Sequence, residues 1–408
     1  MKRVRFPGVL SFILAATLAT TAGCSGSGSN GNGGGGGGGG SASNVEAITV
    51  NSGPGGGYIN GAFTSVTVCV PGSTTNCQTI GGILVDTGSP GLRILSSALT
   101  ISLPQQTGSN GSPIVECLPF LSGFTWGPVQ TADMTIAGEQ AKSLPIQVIG
   151  TSNFPTIPAS CSSQGTAEED LASLGANGIL GVGVLTADCG SACTVSGASN
   201  PGLYYSCPSS GCVVTTESLA NQVQNPVALF ATDNNGVIIE LPSVSGAQST
   251  VTGSLIFGIG TQSNNGLGSA TVYMLDPSTG NFTTVFNGVT YTNAAFIDSG
   301  SNGLYFLDAA TTGFPTCAAP ITFWYCPSST QNLSATNRGT NGTSASFNFV
   351  VSNANTLTSN ASTAAANGLA GPNSGTFDWG LPFFYGRNVY TAIAGQSTPG
   401  GTGPYWAY

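Results

Sequence analysis

An all-β fold with few short helices, stapled by disulfides, is what this sequence predicts. Three observations carry that expectation. Short apolar runs recur with the two-residue period of half-buried strands. Clusters of Gly, Asn and Ser separate those runs, and Gly alone supplies 61 of 408 residues. Cysteine is frequent, with 11 in the chain, while charge is scarce at 7 Lys+Arg and 16 Asp+Glu. Soluble domains usually carry about a quarter charged residues. Past the first two dozen residues no apolar run approaches the ~20 residues that span a bilayer.

The chain opens on a targeting segment. Lys2, Arg3 and Arg5 precede an apolar stretch from Val9 to Leu18 that ends in small residues, the pattern of a secretory leader. The leader is read as residues 1–23. Thr21-Ala22-Gly23-Cys24 resembles a bacterial lipobox, with Thr21 where Leu is common. Cys24 is accordingly expected to be lipidated and to anchor the protein to a membrane; the alternative is ordinary cleavage beside an incidental Cys. Residues 24–44 are almost pure Gly, Ser and Asn and read as a flexible tether.

Strand signals fill the rest. From Phe63 to Val70, Val66, Val68 and Val70 alternate with Thr67 and Cys69. Similar runs lie at 83–85, 92–95, 134–136, 144–149, 237–241, 254–257, 271–275, 282–286 and 347–351. Turn residues punctuate them. One short helix is predicted from Glu217 to Val223, which lacks Gly and Pro. Residues 354–369, rich in Ala, Asn, Ser and Thr, read as a loop.

Ten Cys remain after Cys24, an even number in an exported chain, and are expected to form disulfides. Metal binding is the disfavoured alternative, because no CxxC pair occurs. Cys69 and Cys77 flank Pro71-Gly72-Ser73 and should staple a hairpin. Cys317 and Cys326 alone follow Cys212 and should pair. The connectivity of the other six is open. Past the leader, Arg93, Lys142, Arg338 and Arg387 face 16 acids. No basic patch exists, so nucleic acid is not an expected partner. The chain has no His, which excludes Ser-His and Cys-His hydrolases and His-ligated zinc.

An internal repeat carries the functional reading. Ile83-Leu84-Val85-Asp86-Thr87-Gly88-Ser89 is matched by Ala295-Phe296-Ile297-Asp298-Ser299-Gly300-Ser301. Both continue to an apolar pair, Leu92 with Ile94 and Leu304 with Phe306. In each copy a buried strand delivers an Asp to a sharp turn. Gly permits a close backbone approach there, and the hydroxyls can orient the carboxylates. If the two turns meet, Asp86 and Asp298 lie side by side and share one proton. The ionised member can take a proton from water while the protonated one polarises a carbonyl. That pair hydrolyses amides without His or metal, so no cofactor or metal is expected.

The repeat resembles the pepsin-like aspartic proteases, two-lobed β-proteins with one Asp-(Thr/Ser)-Gly per lobe. Further matches are Asn177–Gly183, the helix near Glu217 with Val227–Ala231, Gly253–Gly260 and residues 379–393. Within that superfamily the chain is similar to an uncharacterised bacterial lipoprotein family, a domain of unknown function. The resemblance implies a two-lobed pepsin-like β-barrel fold, with lobes at 45–245 and 246–408. Asp86 and Asp298 would be catalytic, supported by Thr87, Gly88, Ser89, Ser299, Gly300 and Ser301.

Some positions depart from the family pattern. Arg93 stands where a Trp supports the flap. Phe124-Thr125-Trp126-Gly127 takes the place of the flap, so Trp126, Gly127 and Arg93 are expected to set specificity; Trp126 is alternatively a packed aromatic. Leu381 replaces an Asp, and Asp378 lies just upstream, either a third carboxylate near the dyad or an exposed turn residue. The expected protein is an aspartic endopeptidase on polypeptide substrates, a monomer lipid-anchored to the outer membrane or surface of a bacterial cell. The alternative is a non-catalytic binding or surface lipoprotein on the same fold.

Overall fold

The structure is a computed structural model and describes residues 44–408. The expected leader, Cys24 and the tether up to residue 43 lie outside the described residues. The described chain is mostly β, and none of its helical turns exceeds five residues.

Local pattern explains the strands. In Ala62–Cys69 the side chains of Val66 and Val68 are buried and Thr67 is not. Its partner Cys77–Asp86 repeats the alternation, so Thr67 meets Thr79 across the outer face at 2.7 Å. The register sets Cys69 directly opposite Cys77, and the two are joined. Cys317 and Cys326 are joined as well. The other six Cys pair as Cys117–Cys161, Cys189–Cys193 and Cys207–Cys212.

Two large sheets organise the molecule. A 15-stranded sheet draws on the start, middle and end of the chain. Within it Val45–Val50 pairs with Val251–Phe257, which pairs with Gly236–Leu241, which pairs with Arg387–Ala392. The expected lobe boundary at 245/246 falls in the connection between Gly236–Leu241 and Val251–Phe257. A seven-stranded sheet is built within residues 282–379. One apolar core runs behind both. Its second half is aromatic: Phe306 stacks on Phe377 at 5.0 Å, and Phe377 lies 4.4 Å from Trp379.

Two local expectations are corrected. The helix expected at 217–223 is a three-residue 3₁₀ turn, Leu219–Asn221. A segment that short gains little from helix propagation, and its polar side chains bond backbone elsewhere. Gln222 donates to the carbonyls of Gly190 (2.8 Å) and Glu217 (3.2 Å). The loop expected at 354–369 begins with a helical turn, Ala354–Leu357, capped by Asn353, and Ala365–Ala366 pairs with Ala247–Gln248.

Candidate active site

The strand Cys77–Asp86 ends on Asp86 and runs parallel to Gly178–Val182, with Asp86 opposite Gly181. Gly178–Val182 is buried throughout, as a strand covered on both faces must be. After the turn, Pro90–Leu95 returns antiparallel to the same backing strand. Gly181 is required there, because a Cβ would sit 2.5 Å from the Pro90 carbonyl carbon.

The second copy is built the same way. Val289–Ile297 delivers Asp298 and runs parallel to Asn373–Trp379, and Leu304–Leu307 returns antiparallel to it. Asp298 N–H donates to the Trp379 carbonyl at 3.1 Å. Gly380 follows, and a Cβ on it would strike the backbone oxygen of Gly303. The sequence repeat is therefore a repeat of three-strand cradles.

The two turns interlock. The Thr87 hydroxyl donates to the Ile297 carbonyl (3.1 Å) and accepts from Ser299 N–H (2.9 Å). The Ser299 hydroxyl donates to the Val85 carbonyl (2.8 Å) and accepts from Thr87 N–H (3.1 Å). Each turn then holds its own carboxylate. Gly88 N–H reaches Asp86 Oδ1 at 2.7 Å, and Ser89 donates to Oδ2. Gly300 N–H reaches Asp298 Oδ1 at 2.7 Å, and Ser301 donates to Oδ2 at 2.8 Å.

The carboxylates face each other across the interlock. A Cβ on Gly88 would lie 2.6 Å from the Asp298 carboxyl carbon, and one on Gly300 would lie 2.8 Å from Asp86 Oδ1. Any side chain at either position would displace the opposite carboxylate. Burial, then the charge of Asp298, raises the Asp86 carboxyl well above the usual range. Two touching carboxylates hold one proton between them more readily than none.

Asp378 is fully buried, which corrects the reading of an exposed turn residue. Neither of its oxygens has a hydrogen-bond partner. Burial, followed by the charge of Asp298, pushes its carboxyl well above the ordinary range. Tyr305 lies opposite it in register and donates to Asn302 Oδ1 at 2.6 Å.

Tyr58, which the sequence did not single out, also has its hydroxyl raised, by burial first, then by the charge of Glu168 and after it those of Asp298 and Asp86. Its ring is wedged where a Cβ on Gly175 would lie 2.8 Å away. Asn60 ties this loop to the second turn, donating to the Asn302 carbonyl at 2.9 Å. The signal for Tyr58 and Asn60 was a Gly-rich loop ending in Asn60, which has no sequence spacing that names a site; Asp378 is the third carboxylate that its place before Gly380 allowed.

Three expected specificity residues lie elsewhere. Trp126 is packed inside the sheet strand Phe124–Ile136, 1% exposed. It donates to the Phe154 carbonyl at 2.9 Å and meets Tyr205 edge-on at 5.2 Å. Gly127 beside it abuts the Val148 backbone. A flap needs a mobile tip, whereas these residues form a core wall.

Arg93 is buried with Glu116 (2.9 Å) and Asp188 (2.6 Å), and it donates to the Pro90 carbonyl at 2.7 Å. Burial works against its charge, but the two acids outweigh burial and hold the guanidinium protonated. Arg93 thus braces the turn after Asp86 from behind. A cavity of about 460 Å³ opens elsewhere, beside Phe349 and Arg387, and no dyad residue lines it.

The model of a family described as Protein of unknown function (DUF3443) matches residues 40–408. The chain belongs to that family. No curated protein matches it.

Proposed function

We propose that this DUF3443 member is an aspartic endopeptidase of the cell envelope, exported and held by a lipid at Cys24. In this reading its two Asp cradles are the centres of two lobes of a pepsin-like fold. The observation that carries it is the reciprocal lock of Thr87 and Ser299, which sets two carboxylates face to face, each fixed by a Gly N–H and a Ser hydroxyl. Holding two opposed carboxylates together costs free energy, and costly local arrangements of that kind cluster at active sites.

The chemistry follows from the shared proton. Asp298 accepts a proton from a water held between the carboxyls as that water attacks the scissile carbonyl carbon. Asp86 gives its proton to the carbonyl oxygen. When the tetrahedral intermediate collapses, a hydroxyl proton returns to Asp86 and Asp298 protonates the leaving nitrogen. The C–N bond breaks, and both carboxyls return to their starting states.

Pooled peptides incubated with the purified mature protein between about pH 3 and pH 7 test this reading. Cleavage by wild type, lost in well-folded Asp86→Asn and Asp298→Asn variants, is the expected outcome. No cleavage at any pH, or cleavage by either Asn variant at the wild-type rate, sinks it in favour of a non-catalytic binding protein.

A further inference from the structure

Asp378 poses a problem that packing does not solve. A buried carboxyl whose oxygens meet no hydrogen-bond partner in good geometry is costly when ionised; the one polar side chain near it is the Ser301 hydroxyl, which can accept the proton of the neutral acid but offers the carboxylate no charge. Along Asn373–Trp379 the side chains alternate, so Phe377 and Trp379 enter the aromatic core and Asp378 points to the opposite face. On that face its register partners are Phe296 and Tyr305, both only half-buried. The Tyr305 ring stacks on Trp324 at 5.4 Å. The corresponding place in the first cradle is filled by Ile179, opposite Leu84 and Arg93. An apolar residue therefore satisfies the same backbone, and the carboxyl is an addition to it.

No basic side chain of the described chain serves Asp378. Arg93 is bound to Glu116 and Asp188. Arg387 donates to the Phe383 carbonyl at 2.6 Å and lies over the Phe383 ring. Lys142 and Arg338 are exposed on other strands. The Ser301 hydroxyl is near, but its single proton is donated to Asp298. A counter-charge for the ionised form of Asp378 is therefore absent from the described chain.

We propose that Asp378 is a specificity-determining residue of the dyad's cleft, accepting the cationic side chain of a lysine or arginine that adjoins the scissile bond. The proposal rests on the hydrolase reading and names its substrate class. Three features support it. The carboxyl is within electrostatic reach of both Asp86 and Asp298, so a cation paired with it lies beside the reacting atoms. The partly buried rings of Phe296 and Tyr305 flank it, and an aromatic face favours a cation. The acid-rich chain attracts basic peptides. In the empty cleft Asp378 stays protonated, and it releases that proton to solvent when the cation enters.

The test uses matched peptides that differ only at the two residues flanking the cleaved bond, with Lys or Arg replaced by norleucine. For wild type, kcat/KM for the basic peptide is expected to exceed that for its norleucine twin by roughly tenfold or more. In Asp378→Asn, and in Asp378→Ile as a second variant copying the first cradle, that ratio should fall towards one. A wild-type ratio near one overturns the proposal. So does a ratio unchanged in either folded variant, or an equal loss on both peptides, which would make Asp378 a proton relay through Ser301. If no peptide is cleaved, the hydrolase reading fails separately. Calorimetric titration with n-butylguanidinium then decides for Asp378: binding by wild type and not by Asp378→Asn supports the cation site, and equal binding or none by wild type removes it.

Discussion

Thr87 and Ser299 exchange hydroxyls across the centre of the molecule. Each donates to the carbonyl of the strand that delivers the opposite aspartate, and each accepts from the opposite backbone N–H. All four groups are buried. Replacing Thr87 by Val keeps its shape and leaves Ser299 N–H without an acceptor. A buried donor left unpaired costs about 1–3 kcal/mol. Urea unfolding should show a loss of that size for Thr87→Val and for Ser299→Ala, and a smaller loss for Thr87→Ser, which keeps the hydroxyl. Because the two share one network, the double variant should lose less than the sum of the singles. Additive losses would mean that the hydroxyls act separately.

Arg93 should matter for stability rather than substrate choice. Arg93→Met would leave Glu116 and Asp188 facing each other without a cation, and breaking such a buried cluster costs about 3–5 kcal/mol. Arg93→Lys cannot span both acids and the Pro90 carbonyl with a planar fork, so it should fall between. Denaturant midpoints order the three proteins. Peptide selectivity in any variant that remains folded is expected to match wild type, and a changed cleavage preference would return Arg93 to the substrate cleft.

The β pattern was legible because half-buried strands alternate, and the runs at 83–85, 144–149 and 237–241 each lie inside an observed strand. The paired Asp turns were legible for a different reason: a sharp turn beside a carboxylate tolerates few residues, so both copies read alike. Trp126 misled because a strand residue packed on Tyr205 and a hairpin-tip aromatic look the same in one sequence. Arg93 misled because its partners lie 23 and 95 residues away. Asp378 was legible as a third carboxylate near the dyad from its place before Gly380, though its burial was not, and Tyr58 reaches the dyad only through tertiary packing, which no local pattern encodes.

Anchoring is tested by Cys24→Ser. The charged leader, the small residues before Cys24 and the Gly-rich tether after it motivate a lipid at that residue. The variant should leave the membrane pellet for the soluble fraction, and metabolic labelling with a fatty-acid analogue should vanish with it. Equal membrane association of wild type and variant would remove the lipid from the proposal.

The pH dependence of stability is set by which carboxyls bury their protons. Asp86 and Asp378 are both raised well above their ordinary value of 3.8, chiefly by burial. Between the unfolded and the folded pKa the native state holds a proton that the unfolded chain has released, so stability falls as pH rises through that interval. The contribution is fully present below the unfolded value and lost above the folded one. Each unit of separation is worth about 1.4 kcal/mol. Asp276 and Asp308 act oppositely, since hydrogen bonds from Ser278 and Thr311 respectively lower them, and their contribution is lost only as pH falls below the ordinary carboxylate range. Thermal unfolding should therefore give a higher Tm at about pH 4 than at about pH 8. Asp378→Asn removes one of the two buried protons from this balance, so its Tm should depend less on pH over that span, with the gain over wild type largest at the alkaline end. A wild-type Tm that climbs from pH 4 to pH 8, or a variant as steep as wild type, would show that Asp378 is ionised in the native protein.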